Sequence, residues 1–322
     1  MDHDTILVLA NPIEPRLAHL EQLPPETGIA VGLSPEAFEN AALDATVIFS
    51  WAFSEALLRD VLAVAPRVRW IHTRAAGVDR LLFPELVASP AVLTNGSGVF
   101  SPSLGEWVLG AILYFAKDFR RLIRAQAQGK WDPFTVTEVS GQTLGIIGYG
   151  DIGRAIAARA RAMGMRILGM TRRGPLSGPD PLVEQIFAPA DRIRMIEQCD
   201  YIAVAAPLTP ETRGLVGEAE IAAMKPEAVL INAGRGPVID ESALVLALTH
   251  KRIKGAALDV YDCEPLPQGH PLYYLDNVLL SPHCADHTAT WLDDAMRFFL
   301  AQYERFRKRE PLLNVVDKKA GY

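Results

Sequence analysis

The stretch Gly148-Tyr149-Gly150-Asp151-Ile152-Gly153 decides the fold of this chain. It has the spacing GxGxxG, it follows the apolar run 144–147, and it leads into an alanine-rich helical pattern over 154–162. In this context the first glycine permits a tight turn, the second lets the backbone approach a pyrophosphate, and the third lets helix and strand pack closely. Free N–H groups and the positive end of the helix dipole then face the phosphates. The stretch therefore predicts a dinucleotide-binding domain.

The segments around this turn alternate between apolar strand-like runs and helical patterns. Near the turn and after it, the predicted strands are 144–147, 166–170, 201–205, 229–231, 256–258 and 278–280. Six parallel strands with crossover helices are the content of a doubly wound, Rossmann-type domain. In the first third of the chain the predicted strands are 6–9, 47–49, 70–72 and 92–94. We therefore predict an α/β protein with two parallel-sheet, doubly wound domains, the other one flavodoxin-like.

The domain boundaries are predicted from loop and helix signals. The loop Asn95-Gly96-Ser97-Gly98 precedes a long helical pattern that opens at Pro102 and runs to about Gln128. The last helical stretch, from residue 288, returns to the first domain in this interpretation. The prediction is a dinucleotide-binding domain over 99–287 and a discontinuous substrate domain over 1–98 with 288–322.

The helical pattern after Pro102 also indicates an oligomer. Its first half, 104–115, is apolar on nearly every face. A helix that is apolar all round must be buried on all sides. Since one domain covers only one side, we expect a second copy to cover the other, which makes the protein a homodimer.

Composition excludes several other classes of protein. The 322 residues are 49% hydrophobic and 22% charged, with a net charge of −6, which argues for a globular chain and against a nucleic-acid partner. No apolar run approaches the ~20 residues that span a bilayer, so no membrane partner is predicted. Three cysteines without ligand or disulfide spacing predict no metal site. The first ten residues lack the pattern of a signal peptide, and we expect a cytoplasmic protein.

Three chemically suited side chains follow successive predicted strands. Arg235 lies in Asn232-Ala233-Gly234-Arg235-Gly236, Glu264 in the segment 259–265, and His283 in the segment 281–288. The carboxyl ends of parallel strands share one edge of a sheet, where ligands bind. An arginine can hold a substrate carboxylate and polarise a carbonyl, while a histidine beside a glutamate is suited to acid–base catalysis. The set predicts hydride reduction of a small 2-keto acid, with a nicotinamide cofactor.

The end of the second strand of this domain predicts which cofactor is preferred. An acid about 20 residues after the first glycine usually accepts from the ribose 2′-hydroxyl. Here the residues are Thr171, Arg172 and Arg173. Guanidinium groups bind a 2′-phosphate, which a carboxylate would repel. We therefore predict that NADP(H) is favoured and that NAD(H) remains possible.

At this point the chain resembles the D-isomer-specific 2-hydroxyacid dehydrogenase family, in its glyoxylate/hydroxypyruvate reductase-like form. The resemblance covers essentially the whole chain. The motifs that carry it are the loop Ala75-Ala76-Gly77-Val78-Asp79, the glycine turn, and the segments 205–212, 232–236, 259–267 and 281–288.

The resemblance implies roles for individual residues. Arg235 would bind the substrate, His283 would exchange the proton, and Glu264 would support His283. Hydride would pass between the nicotinamide and C2 of a small 2-keto or 2-hydroxy acid. The backbone N–H groups of Ala76 and Gly77 would bind the substrate carboxylate. Further cofactor contacts are implied at Pro207, Thr212, Ala233, Asp259 and Ala285.

Two positions depart from the family pattern, and two other functions remain open. The segment Thr171-Arg172-Arg173 stands where many relatives carry an acid. Asp286 stands where the family often has glycine. The first alternative is a cofactor-sensing binding protein that keeps the dehydrogenase fold; retention of Arg235, Glu264 and His283 argues against it. The second is a dehydrogenase of different chemistry, such as one acting on an inorganic oxyanion. A panel of 2-keto acids separates these possibilities.

Overall fold

The computed structural model describes residues 4–174 and 178–322. The chain divides into two compact units, Met1–Phe100 with Thr288–Tyr322, and Ser101–His287. The strands are β1 (Thr5–Leu9), β2 (Gly28–Gly32), β3 (Val47–Ser50), β4 (Trp70–Thr73), β5 (Val92–Thr94), β6 (Thr143–Ile147), β7 (Arg166–Met170), β8 (Gln185–Phe187), β9 (Tyr201–Val204), β10 (Val229–Asn232), β11 (Gly255–Leu258) and β12 (Val278–Leu280). The α-helices are α1 (Glu55–Val64), α2 (Pro84–Ala88), α3 (Ser101–Ala116), α4 (Phe119–Ala127), α5 (Asp151–Ala162), α6 (Arg192–Ile196), α7 (Glu218–Ala222), α8 (Glu241–Thr249) and α9 (Trp291–Arg307).

The first unit contains a five-stranded sheet in the order β2-β1-β3-β4-β5. Every neighbouring pair is parallel, and the order is that of a flavodoxin-like fold. Sequence patterns missed β2, because Gly28 and Gly32 bound it and most of its residues are only half-buried. The edge position explains the weak signal, since an edge strand buries less of its surface.

The C-terminal helix α9 packs on the sheet of the first unit. Phe299 is fully buried and stacks on Phe49 with ring centroids 3.9 Å apart, and on Trp70 at 5.5 Å. His72 lies in the same aromatic layer, and burial lowers its pKa to about 3, so it is neutral. The apolar side chains of α9 therefore complete a core that the first hundred residues leave open on this face.

The second unit contains a seven-stranded sheet in the order β12-β11-β10-β9-β6-β7-β8. All its pairs are parallel, and the order around β6 is that of a Rossmann fold. The six predicted strands are present, and β8 is a seventh that the sequence patterns missed. It has only three residues and begins with the exposed Gln185. Two parallel-sheet α/β domains are thus confirmed as the fold class.

The prediction of one long helix from Pro102 to about Gln128 was wrong. The segment forms two helices, α3 and α4, because Asp118 adopts a left-handed conformation with φ 46°. Its side chain then caps the second helix by accepting from the N–H of Arg121 at 3.2 Å. One face of α3 is buried inside the unit, whereas Trp107 and Leu113 are only half-buried.

The aromatic layer beneath α9 leads to a stability prediction. Phe299→Ala should lower the free energy of unfolding of the first unit by about 3–5 kcal/mol, because it leaves a cavity between Phe49 and Trp70. Denaturant titration measures the change, with Arg297→Ala on the exposed face of the same helix as the control. Equal, small losses for both variants would contradict the assigned packing.

Candidate functional site

The glycine turn fits a phosphate-binding cradle. Gly148 has φ 95°, and a Cβ there would lie 2.5 Å from the backbone nitrogen of Ala206, so this position requires glycine. Gly150, by contrast, would carry a Cβ with no protein atom within 4 Å. Asp151 and Ile152 then begin α5, whose N-terminal N–H groups follow the open position. The turn is thus tight where it meets the sheet and open where a pyrophosphate would lie.

The chain after β7 presents two arginines beside the glycine turn. Arg172 and Arg173 are exposed. The hydroxyl of Thr171 donates to the carbonyl of Gly174 at 2.6 Å, which closes the turn and leaves no acid at the end of this strand. A hydrogen bond from Thr209 contributes most to lowering the pKa of Glu211, and the charge of Arg172 lowers it further. The two guanidinium groups therefore place positive charge at the carboxyl end of β7.

The segment after β9 is held in a compact turn by Thr212. Its hydroxyl donates to the carbonyl of Pro207 at 2.7 Å and accepts from the N–H of Thr209 at 2.8 Å. The segment therefore keeps one shape through its own side chains. Ala233, at the end of β10, donates its N–H to the carbonyl of Val204 at 3.0 Å, so this position too is fixed by backbone.

Asp259 fastens the loop after β12 to the end of β11. Its carboxylate is 1% exposed and accepts from the Ser281 hydroxyl at 2.6 Å, the Cys284 N–H at 3.0 Å and the Ala285 N–H at 3.2 Å. A buried carboxylate is stable only when such partners replace water. The three donors bracket His283, so Asp259 determines where the histidine lies. The sequence analysis missed this role. An acidic residue directly after a buried strand could have indicated it, because a buried carboxylate needs hydrogen-bond donors.

His283 and Glu264 form a hydrogen-bonded pair. The Nδ1 atom of His283 lies 2.9 Å from Oε2 of Glu264, and Oε1 of Glu264 accepts from the N–H of Tyr261 at 3.1 Å. His283 itself has φ 51°, a left-handed conformation that turns its side chain out of the loop. The hydrogen bond to Glu264 raises the pKa of His283, against burial and the positive charge of Arg235. The pair thus favours the charged imidazolium over the neutral imidazole.

Arg235 is positioned by its own loop. The side chain of Asn232 accepts from the N–H of Gly234 at 3.1 Å and donates to the carbonyl of Arg235 at 3.0 Å. The guanidinium, half-buried, donates to the carbonyl of Gly234 at 3.0 Å. Gly236, the residue after Arg235, packs against the Tyr261–Asp262 peptide, and the N–H of Tyr261 donates to Glu264, so the arginine loop lies beside the segment that carries the glutamate. The structure therefore brings Arg235, Glu264 and His283 together.

These sequence-predicted residues share one edge of one sheet. They follow β6, β7, β9, β10, β11 and β12, all parallel, so all meet the edge where ligands bind in doubly wound folds. The arrangement offers a dinucleotide cradle at one end and a cation beside an acid–base pair at the other.

A family model described as "D-isomer specific 2-hydroxyacid dehydrogenase, NAD binding domain" matches residues 109–285, more than half of the chain. The chain belongs to the D-isomer specific 2-hydroxyacid dehydrogenase family. Membership confirms the predicted enzyme class, an NAD(P)-dependent oxidoreductase of 2-hydroxy acids.

Two curated relatives show the range of this similarity. The chain is 38% identical over 240 residues to a glyoxylate reductase from Thermofilum pendens, which covers 71% of this chain and 69% of that protein. It is 32% identical over 301 residues to a D-3-phosphoglycerate dehydrogenase from Methanocaldococcus jannaschii, covering 91% of this chain. The chain spans only 55% of the length of that second relative.

A solved structure is similar along the whole chain. It is an NADPH-dependent glyoxylate/hydroxypyruvate reductase from Sinorhizobium meliloti in complex with NADP and sulfate. The TM-score is 0.85 at 26% identity, and the alignment covers 99% of this chain and 100% of that one.

The loop implied for the substrate carboxylate lies in the first unit of the dehydrogenase. The carbonyl of Ala75 accepts from the N–H of Gly96 at 3.0 Å, and that of Ala76 accepts from the Asn95 side chain at 2.6 Å. In a trans peptide the N–H points opposite to the preceding carbonyl. The N–H groups of Ala76 and Gly77 therefore point away from the segment that holds the loop.

Among residues 4–174 and 178–322, the helices are too short or too polar to span a membrane. Within the same residues, no group of three or more histidine, cysteine, aspartate or glutamate side chains is arranged to hold a metal ion.

The open position at Gly150 gives a direct test of the cradle. The Cβ of Gly150→Ala would have no protein atom within 4 Å, so the unfolding temperature should stay unchanged, while the methyl group keeps phosphate from N–H groups that contribute about 1.5–3 kcal/mol each. Affinity for NADPH, measured by calorimetric titration, should fall on the order of tenfold to 10²-fold. Gly110→Ala on α3, whose Cβ would also have no protein atom within 4 Å, is the control. Equal affinity in both variants would place the phosphates elsewhere.

Proposed function

We propose that this dehydrogenase reduces small 2-keto acids of the glyoxylate and hydroxypyruvate class, with NADPH as the favoured cofactor. The observation that carries the proposal is the hydrogen bond of 2.9 Å between His283 and Glu264, with the Arg235 cation nearby. A charged imidazole beside a guanidinium is suited to a substrate that carries a carboxylate and gains a proton. The name of the Thermofilum pendens relative, a glyoxylate reductase, supports the same substrate class.

The proposed roles follow from which atoms are already engaged. Glu264 holds Nδ1 of His283, which leaves Nε2 to donate a proton to the substrate oxygen during reduction. Arg235 binds the substrate and polarises its carbonyl. The bound nicotinamide supplies the hydride. The N–H groups of Ala76 and Gly77 bind the substrate carboxylate, in keeping with their orientation away from the Asn95–Gly96 side of the loop.

The cofactor assignment rests on the residues of the sheet edge. Gly148, Gly150 and Gly153, with Asp151 and Ile152, would cradle the pyrophosphate, and the open space at Gly150 fits that group. Arg172 and Arg173, next to Thr171, would bind the 2′-phosphate. The remaining contacts are proposed at Pro207, Thr212, Ala233, Asp259 and Ala285. NADP in the Sinorhizobium meliloti structure supports the choice, and NAD(H) remains a second cofactor.

Each of the two units has its own role in the proposed function. Residues 99–287 form the dinucleotide-binding domain, and residues 1–98 with 288–322 form the substrate domain. A cytoplasmic location suits Cys263 and Cys284, two exposed thiols without disulfide partners.

A homodimer is proposed from the exposed apolar face of α4. Phe119, Leu122 and Ile123 are exposed at the spacing i, i+3, i+4, which places them on one face of that helix. Trp131, just beyond it, is 96% exposed. Such a contiguous apolar stripe is typical of an interface. The half-buried Trp107 and Leu113 of α3 are consistent with the same cover.

The substrate class and the role of His283 are tested together by kinetics. A panel of 2-keto acids with NADPH should give oxidation of NADPH with glyoxylate and hydroxypyruvate. Because reduction needs the protonated histidine and Glu264 raises its pKa, kcat/KM for reduction should be constant below that pKa and fall as pH rises through it, above the usual ~6.5. Oxidation should show the opposite pH dependence.

Two variants check the assignment of that titration. His283→Ala should lose about 10²–10⁴-fold in kcat. Glu264→Gln should move the alkaline limb of reduction to lower pH, whereas Glu227→Gln at an exposed position should leave it in place. An unchanged pH profile in Glu264→Gln would refute the assigned pair, and inactivity of the native enzyme on every 2-keto acid would refute the substrate class.

The cofactor preference is tested by comparing kcat/KM for NADPH and NADH with one good substrate. One charged hydrogen bond contributes about 1.5–3 kcal/mol, so NADPH should be preferred at least about tenfold at moderate ionic strength. Arg172→Ala combined with Arg173→Ala should abolish the preference by weakening NADPH alone. Arg252→Ala, an exposed arginine on the same unit, should not change it. A native preference for NADH would contradict the proposal.

The dimer is tested by light scattering at micromolar concentration. The native chain should give twice the monomer mass, and Ile123→Glu combined with Trp131→Glu should give the monomer, because charges would be buried in the interface. Arg194→Glu on a distant exposed helix face is the control. A native monomer would overturn this part of the proposal.

A further inference from the structure

The peptide between Tyr261 and Asp262 lies at a junction of the candidate site. A Cβ added to Gly236 would lie 2.0 Å from the carbonyl carbon and oxygen of Tyr261, so that peptide packs directly against the residue after Arg235. The N–H of Tyr261 donates to Glu264, the partner of His283. One short segment therefore contacts the arginine loop and holds the glutamate.

This segment is fastened from outside by Glu241, the first residue of α8. Oε2 of Glu241 accepts from the N–H of Asp262 at 3.3 Å. Oε1 lies 3.2 Å from Nε2 of His270, and both side chains are about four-fifths buried. The N–H of Leu272 donates to Nδ1 of His270 at 3.4 Å, which leaves the imidazole proton on Nε2, directed at Glu241. His270 therefore orients the glutamate that holds the peptide.

Nothing in the proposed chemistry uses this pair. Glu241 is the first residue of α8, and His270 precedes Pro271. Together with Val245, Leu246 and Pro271 they line a surface groove of about 300 Å³. Glu241 contacts the site through the N–H of Asp262, in the Tyr261–Asp262 peptide.

We propose that Glu241, oriented by His270, is a positioning residue for the catalytic group: it fixes the Tyr261–Asp262 peptide and through it the glutamate that holds His283. The inference rests on the proposed function, because the positioned pair is the proton donor of that reaction. Loss of the Glu241 acceptor frees the peptide to move, and the Tyr261 N–H moves with it. Glu264 then loses the hydrogen bond from the N–H of Tyr261 and with it a fixed orientation toward the histidine.

The measured quantity is the titration of His283 in the whole enzyme. Among the described residues, the charged groups that act with this imidazole include Glu264 and Asp259 from the β11 loop, Arg235 from the β10 loop, and Asp286 from its own loop. These groups remain in both Glu241→Ala and Glu241→Gln, and both variants remove the same charge at Glu241. A difference between the His283 titrations of the two variants therefore reports geometry. The ¹³Cε1-histidine NMR signal, assigned by its loss in His283→Ala, gives this titration without any substrate.

The expected results separate positioning from general stability. In Glu241→Ala the His283 titration should move to lower pH, and kcat for reduction should fall on the order of tenfold to 10²-fold with little change in KM, as expected for a displaced acid–base group. Glu241→Gln keeps one acceptor and should lie between native enzyme and Glu241→Ala. His270→Ala should move the titration in the same direction, and adding it to Glu241→Ala should have no further effect, because the two act in series.

Glu218→Ala is the matched control, because Glu218 also begins a helix of this unit but has an exposed side chain. It should leave the titration and kcat unchanged. A native-like His283 titration in a folded Glu241→Ala protein would overturn the inference, even if kcat fell. If the native enzyme reduced no 2-keto acid, the proposed function would fail, while the NMR titration would still decide the role of Glu241.

Discussion

The buried carboxylate of Asp259 is the constraint on which the rest of the site depends. Asp259 directly follows β11 and is buried. A buried charge without hydrogen-bond donors would cost several kcal/mol. The donors that compensate it come from the loop after β12, on both sides of His283. The energetic need of one side chain therefore determines the path of a loop. Because that path places His283 in a left-handed conformation, the histidine points outward toward Glu264.

The same principle holds for the neighbouring loops. Asn232 closes the arginine loop with its amide, Thr212 closes the segment after β9 with its hydroxyl, and Glu241 holds the segment that carries Glu264. Each loop is fixed by a polar side chain that does not itself react. The parallel sheet brings the loops to one edge, and these side chains give each loop a defined shape. In the proposed function, such a site has His283 oriented before the substrate arrives, which is what catalysis by positioned groups requires.

Much of the fold follows from the sequence because it depends on local patterns. The buried strands of both sheets are mostly continuous apolar runs. The glycine turn has GxGxxG spacing between a strand and a helix, which is typical of a dinucleotide-binding domain. Strands β2 and β8 were not predicted from the sequence. Strand β2 is bounded by Gly28 and Gly32 and is mostly half-buried, whereas β8 has only three residues and begins with the exposed Gln185. The break between α3 and α4 was also not predicted, because Asp118 adopts a left-handed conformation and no glycine or proline marks this position in the sequence.

The site divides in the same way. Arg235, Glu264 and His283 could be predicted because each follows a strand and has suitable chemistry. The partners that hold them could not, since Asp259 and Ser281, or Glu241 and His270, are separated by more than twenty residues and meet only through the fold. Side chains with suitable chemistry are easier to predict from sequence patterns than the side chains that position them. Positioning depends on distances between loops, which a sequence pattern does not show.

The most direct test of this account is the crystal structure of the Asp259→Ala variant. Without the carboxylate, the Cys284 and Ala285 N–H groups lose their acceptor, and the loop after β12 should move. The account predicts that Nδ1 of His283 leaves hydrogen-bonding distance of Oε2 of Glu264, which it holds at 2.9 Å in the native chain. A variant structure in which that hydrogen bond and the left-handed conformation of His283 both persist would contradict it.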